Sequence, residues 1–184
     1  MRALMAALAF CIALVSIARA DDATARAIDV AKSKATFGVQ HIYVTRVSGT
    51  VPIIGGTVTL PPNGTLPISI TAELDPGKIS SGDPDRDGAL MSPDFFNVKA
   101  FPTWTFTSTK ITSISTTAFG VDGTLTLHGV TVPEHLDVTV QGDAAHPVYR
   151  AIGHIDREAF HMPVTRLDPV IGKIADVTLD IILK

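Results

Sequence analysis

From Thr36 to Val51 the apolar residues keep one parity. Phe37, Val39, His41, Tyr43, Val47 and Val51 alternate with Thr36, Gln40, Arg46, Ser48 and Thr50. Successive side chains of extended backbone point to opposite sides, so a period of two over this length predicts a strand, or a bent pair of strands, with one apolar face. Gly49 marks the bend in this reading. The same alternation recurs along the chain. Val58-Thr59-Leu60 runs into the turn cluster Pro61-Pro62-Asn63-Gly64. Ile68, Ile70, Ala72 and Leu74 alternate with Ser69, Thr71, Glu73 and Asp75, and Trp104 and Phe106 alternate with Thr103, Thr105 and Thr107. Phe119, Val121, Leu125 and Leu127 share a face opposite Asp122, Thr124, Thr126 and His128. Leu136, Val138 and Val140 alternate with Asp137, Thr139 and Gln141, and Val177, Leu179, Ile181 and Leu183 close the chain.

One short helix is predicted, with Ser92 as its cap, Pro93 at the first helical position and Asp94 at the positive end. Phe95, Phe96 and Val98 form its apolar side, and Pro102 stops it. About eight strands with a single helix define an all-β domain, either a sandwich or a barrel of antiparallel strands. The barrel is preferred because a closed sheet leaves no edge exposed.

The N-terminal twenty residues stand apart from this pattern. Met1-Arg2-Ala3 is a short positive start, Leu4 to Ile17 is almost wholly apolar, and Ala18-Arg19-Ala20 is an A-x-A cleavage site. This order of parts predicts a secretory signal peptide over residues 1–20, leaving residues 21–184 as one barrel domain. Removing Arg2 and Arg19 lowers Lys+Arg from 15 to 13 against 18 Asp+Glu, so the mature charge becomes 13 − 18 = −5. The absence of a basic patch or tail argues against a nucleic-acid partner. Cys11, the single cysteine, lies within the leader, so the mature chain has no disulfide and no thiolate site. Phe10 occupies the place where a lipid-attachment site needs a small residue, which argues against lipidation at Cys11. No later stretch approaches the apolar length of a spanning helix. A membrane barrel is also disfavoured, because the strands are short and Pro-interrupted and the closing Ile181-Ile182-Leu183-Lys184 carries no aromatic girdle.

Several of these segments resemble the YceI-like family. Phe37-x-Val39-x-His41-x-x-x-Thr45-x-Val47-x-Gly49 is similar to that family's opening strand. Asp85-Arg86-Asp87, then Ser92-x-Asp94-Phe95-Phe96-Asn97-Val98 and Phe101-Pro102-Thr103, resembles its arginine–aspartate and paired-phenylalanine segment. Leu125-Thr126-Leu127-His128-Gly129-Val130-Thr131 is similar to its next motif, and Arg157-x-x-Phe160 to its late arginine–phenylalanine element. The resemblance is collinear over nearly all the mature chain. It implies a lipocalin-like antiparallel barrel, exported to the bacterial periplasm, holding a polyisoprenoid or similar amphiphile. Gly88 stands where the family usually has histidine, His161 where it usually has glycine, and Ile171-Gly172-Lys173 lacks the acidic residue common after that glycine. The first two departures fall at polar positions, so the resemblance speaks to the tail of the ligand more than to its head group.

Physical chemistry independently favours a lipid. A single-layer barrel of this size can enclose a cavity for one ligand. Burying about 20 methylene equivalents at ~0.8 kcal/mol each gains about 16 kcal/mol. Association and ordering take back roughly 4–15 kcal/mol. The expected activity is therefore sequestration of an isoprenoid lipid of the polyprenyl or quinone type, without a cofactor and without catalysis. The residues expected to line the cavity are Phe37, Val39, His41, Tyr43, Ile70, Phe95, Phe96, Trp104, Phe106, Leu125, Leu127, Phe160 and Leu179. His41 is either a donor to the ligand head group or a core histidine satisfied by its neighbours. One of Phe95 and Phe96 is expected to touch ligand while the other packs in the core.

Two further classes remain open, a metal-linked periplasmic stress protein and an enzyme that uses His41 as a base on a bound lipid. Asp83-x-Asp85-x-Asp87-Gly88 matches the start of a calcium loop, with Asp94 at the twelfth position. Pro84 inside the loop, the short Asp94 in place of glutamate and the lack of a preceding helix oppose it, so no metal is expected. His128 with His135, and His154 with His161, lack recognised ligand spacing. There is no G-x-S-x-G, P-loop or H-E-x-x-H motif. A homodimer is compatible with the sequence.

Overall fold

Ten strands form one antiparallel sheet in the computed structural model, which describes residues 23–41, 45–161 and 171–184. The leader over residues 1–20 and Tyr43 lie outside the described residues. In chain order the strands are β1 (Thr24–Ala27), β2 (Lys34–His41), β3 (Thr45–Thr50), β4 (Ile53–Leu60), β5 (Ser69–Leu74), β6 (Trp104–Ser113), β7 (Ala118–Leu127), β8 (Val130–Gln141), β9 (Val148–Asp156) and β10 (Ile171–Ile182). Their order across the sheet is β1-β4-β5-β6-β7-β8-β9-β10-β2-β3. The sheet closes between β1 and β10. Ile28, just beyond β1, bridges Leu183, just beyond β10, and the Asp29 and Lys184 amides donate to the Ile182 and Ala27 carbonyls. The sheet thus curls into a barrel.

Ten strands replace the expected eight because β1 and β9 fall outside the alternating segments read from the sequence, while Thr36–Val51 is the pair of strands that reading allowed. It is a hairpin, β2 against β3, with Phe37 paired to Gly49. A Cβ at Gly49 would lie 2.7 Å from the Phe37 ring and 2.3 Å from the Ser80 carbonyl oxygen. Gly49 therefore admits a close approach rather than marking a bend. The chain leaves β3 at Thr50 and enters β4 at Ile53.

The helix is also displaced from its expected place. It is α1 (Pro84–Met91), launched by Asp83, whose carboxylate accepts from the Asp85 and Arg86 amides at 3.0 and 3.2 Å. Asp83-Pro84-Asp85 and Ser92-Pro93-Asp94 carry the same cap–proline–acid order, and the first one starts the helix. After Ser92 the chain folds into turns. The Phe96 amide donates back to the Leu90 carbonyl, and Asn97 adopts φ +45°. Left-handed backbone at Asn97 ends any helix begun at Pro93.

Alternation sets the faces. Along β8, Val130, Val132, Glu134, Leu136, Val138 and Val140 point inward, while Thr131, His135, Asp137 and Thr139 point out. Phe119, Val121, Gly123, Leu125 and Leu127 give β7 its inward file. Two positive-φ residues, His128 and Gly129, close the β7–β8 hairpin, as a two-residue turn of matching twist requires. Among the described residues no helix is long and apolar enough to cross a membrane.

Candidate functional site

The inward faces enclose a cavity of about 490 Å³. That volume lies within the range of roughly 300–1,000 Å³ usual for small-molecule sites. Its wall is overwhelmingly apolar. The lower end of the barrel, where β4 ends and β7 and β9 begin, is stitched together. The Tyr149 hydroxyl donates to the Thr65 carbonyl at 2.8 Å. The Arg26 guanidinium donates to the carbonyls of Lys184 and Ala144. Phe119 and Tyr149 meet edge to face at 6.0 Å, and burial pushes the Tyr149 phenol up to about 12. The upper end is crossed by the excursion between β5 and β6, which brings Arg86, Leu90, Phe95 and Phe96 to the wall.

That excursion is fixed by a polar cluster. Arg86 donates from Nε to the Ser81 hydroxyl at 2.8 Å and from Nη2 to the Ser81 carbonyl at 3.0 Å. Asp87 accepts from the Ser81 amide and hydroxyl. Asp83, Asp85 and Asp87 are therefore a helix cap, a first-turn residue and a helix anchor, while Asp94 sits in the following turn. The calcium-loop geometry is replaced by α1.

Of the residues expected to line the cavity, Phe37, Val39, His41, Ile70, Phe95, Phe96, Trp104, Phe106, Leu125, Leu127 and Leu179 stand on its wall. Phe95 and Phe96 both reach it. Phe96 meets Trp104 edge to face at 4.7 Å. The Trp104 indole N–H is buried without an acceptor among the described residues. Phe160 is elsewhere. It is 0% exposed, packed under the 3-10 turn Arg157–Phe160, so it belongs to the core and not to the wall. His41 sits half-buried at the end of β2, paired to Thr45 and Ile171.

The histidine pairs do not converge. His128 occupies the β7–β8 turn beneath the Phe101 ring, whereas His135 lies on the outer face at 2.6 Å from Asp122. That contact, first among its causes, raises the His135 imidazole above its ordinary value. His154 meets Asp176 at 2.7 Å, and Arg46 meets the same carboxylate at 2.6 Å. Hydrogen bonds from His154 and Arg46 hold Asp176 below the usual carboxylate range. His161 caps its 3-10 turn in the left-handed region at φ +53°, a conformation that suits the glycine usual there in the family. Among the described residues, no group of three or more His, Cys, Asp or Glu side chains could hold a metal ion.

Sequence reasoning missed several wall residues. Phe119 and Val121 share parity with Leu125 and could have been included on that ground. Glu134 is the more consequential omission. Extending the Leu136, Val138, Val140 alternation back by one step points its side chain into the barrel. Burial, and then the nearby Asp156 carboxylate, raise the Glu134 carboxyl above its ordinary value.

An antiparallel sheet curled around an apolar cavity defines the class of lipocalin-like folds. The YceI-like domain profile matches residues 27–183, and the chain belongs to that family. Protein YceI of Salmonella newport (strain SL254) is 30% identical over 111 residues, which are 60% of this chain and 58% of that protein. The match therefore spans little more than half the length of that relative. In structure, the chain resembles BcnA of Burkholderia cenocepacia with a TM-score of 0.71 at 19% identity, covering 85% of this chain and 99% of BcnA. A polyisoprenoid-binding domain from Saccharophagus degradans superposes with a TM-score of 0.69 at 14% identity, covering 89% of this chain and 99% of that domain. The Campylobacter jejuni YceI protein gives 0.67 at 19% identity, over 79% and 89%.

Proposed function

We propose that this protein is a periplasmic carrier that sequesters an isoprenoid lipid, of the polyprenyl or quinone type, inside the barrel. The observation that carries this reading is the 490 Å³ cavity with its apolar wall. Family membership and the fold shared with a polyisoprenoid-binding domain support it. The tail would lie against Phe37, Val39, Ile70, Phe96, Trp104, Phe106, Leu125, Leu127 and Leu179, removed from water. Burial at ~0.8 kcal/mol per methylene makes affinity grow with tail length. The barrel holds and releases its ligand without transforming it, and residues 1–20 direct its export.

Mass spectrometry of untagged protein from the periplasmic fraction, under native conditions and then after organic extraction, tests this. The expected result is a mature chain beginning at Asp21 with a stoichiometric apolar adduct whose fragments are spaced by isoprene units. A bare mass, with no uptake of added polyprenol or quinone, overturns it.

A further inference from the structure

Glu134 interrupts an otherwise apolar file on β8, between Val132 and Leu136, and the pairing fixes where it points. It lies directly opposite Gly123 of β7, above which the Phe106 ring sits, with 2.4 Å from its Cζ to the place a Cβ would take. Among the described residues it is the one carboxylate on the cavity wall. Its carboxyl group takes part in no hydrogen bond or ion pair among those residues. The cations nearby are engaged elsewhere. Arg86 donates to Ser81, Arg157 donates to the Gly172 carbonyl at 2.8 Å, and Lys173 meets Asp156 and Glu158 at 3.3 and 2.9 Å.

A carboxylate facing an apolar cavity without a donor is costly, and a valine at this position would simply continue the file. The carboxyl is satisfied if the ligand supplies the donor. Resting on the carrier reading above, we propose that Glu134 reads the ligand's head group, accepting a hydrogen bond from a hydroxyl or an amine. The cavity then selects isoprenoid alcohols or amines over isoprenoid phosphates. A phosphate would set a second anion against the carboxylate. Selection would come from repulsion as well as attraction.

Trp104, the single tryptophan of the chain, stands on the same wall and reports occupancy by its emission. Parent, Glu134→Leu and Glu134→Gln proteins are titrated with farnesol, farnesylamine and farnesyl phosphate, with stoichiometry checked by native mass spectrometry. The parent is expected to hold the alcohol and the amine about tenfold more tightly than the phosphate, the scale of a hydrogen bond to a charged group. Glu134→Leu is expected to abolish that preference, and Glu134→Gln to keep the alcohol while losing the advantage of the amine. An unchanged ranking in Glu134→Leu overturns the head-group assignment and leaves the carrier reading intact. Failure of all three probes to bind either the parent or the variants overturns both.

Discussion

At the lower end of the barrel Leu60 is 3% exposed, Val140 6% and Leu183 7%, and none of them stands on the cavity wall. Phe37, Ile70, Leu74, Phe96 and Leu179 belong to the same barrel interior and are as apolar, yet they are only partly covered. Apart from Phe96, which lies in the turns after α1, the sequence grammar is identical in both groups, since each residue keeps the inward parity of an alternating strand. What differs is what lies across the barrel. The lower residues meet one another beneath connections tied by Arg26 and Tyr149. The others face the cavity. Stability and binding capacity thus come from separate parts of one continuous sheet.

Truncation should separate them most strongly. Leu60→Ala is expected to cost about 2–5 kcal/mol in urea unfolding, as truncation of a fully packed leucine does. Phe37→Ala should cost about 1–2 kcal/mol, because less of its surface is withdrawn from water, while weakening lipid uptake. Equal losses of stability would erase the distinction between the two groups.

Enlargement gives a smaller effect of the same kind. Val140→Phe should lose about 1–3 kcal/mol by overpacking. Ala72→Phe, on the cavity wall, should change stability by less than about 1 kcal/mol, since the cavity accepts the ring, and should lower ligand capacity. A fall in stability at Ala72 as large as at Val140 would mean that the cavity wall is ordinary core.

The smallest effect is the sharpest in sign. The Glu134 carboxyl lies above its ordinary value of 4.5 in the folded chain, first through burial and then through Asp156. The folded state therefore binds this proton more tightly than the unfolded one. The stability it contributes is complete below the unfolded value and is lost as pH rises through the higher folded value. In ligand-free protein, Glu134→Gln should melt at a higher temperature than the parent at neutral pH, and this difference should shrink as the pH falls below the ordinary glutamate range. Melts that differ equally at both pH values would remove the buried-carboxylate account.

Much of this was legible before any coordinates. Period-two alternation located nearly every strand and the inward parity of β6, β7 and β10, because one buried face is enough to specify register. Two kinds of feature were not legible. The helix was misplaced because two cap–proline–acid sequences nine residues apart compete. Only tertiary contacts, Arg86 and Asp87 with Ser81 and the Phe96 amide with Leu90, decide between them. Phe160 was misassigned because its parity cannot be read in a 3-10 turn that packs against β8 and β10. Glu134 is the opposite case. Its alternation is present in the sequence, since Leu136, Val138 and Val140 continue its parity, but Pro133 beside it breaks the run of strand-forming residues.

The central claim, that the interior is ligand space and not an imperfect core, is met most directly by a crystal structure of the protein soaked with a terminally brominated farnesol. The account predicts one anomalous bromine peak inside the barrel, with the chain of the probe running between Phe37, Ile70 and Trp104 and its hydroxyl toward Glu134. Bromine found only on the outer face, or side chains collapsed across the cavity with no bromine inside, would contradict it.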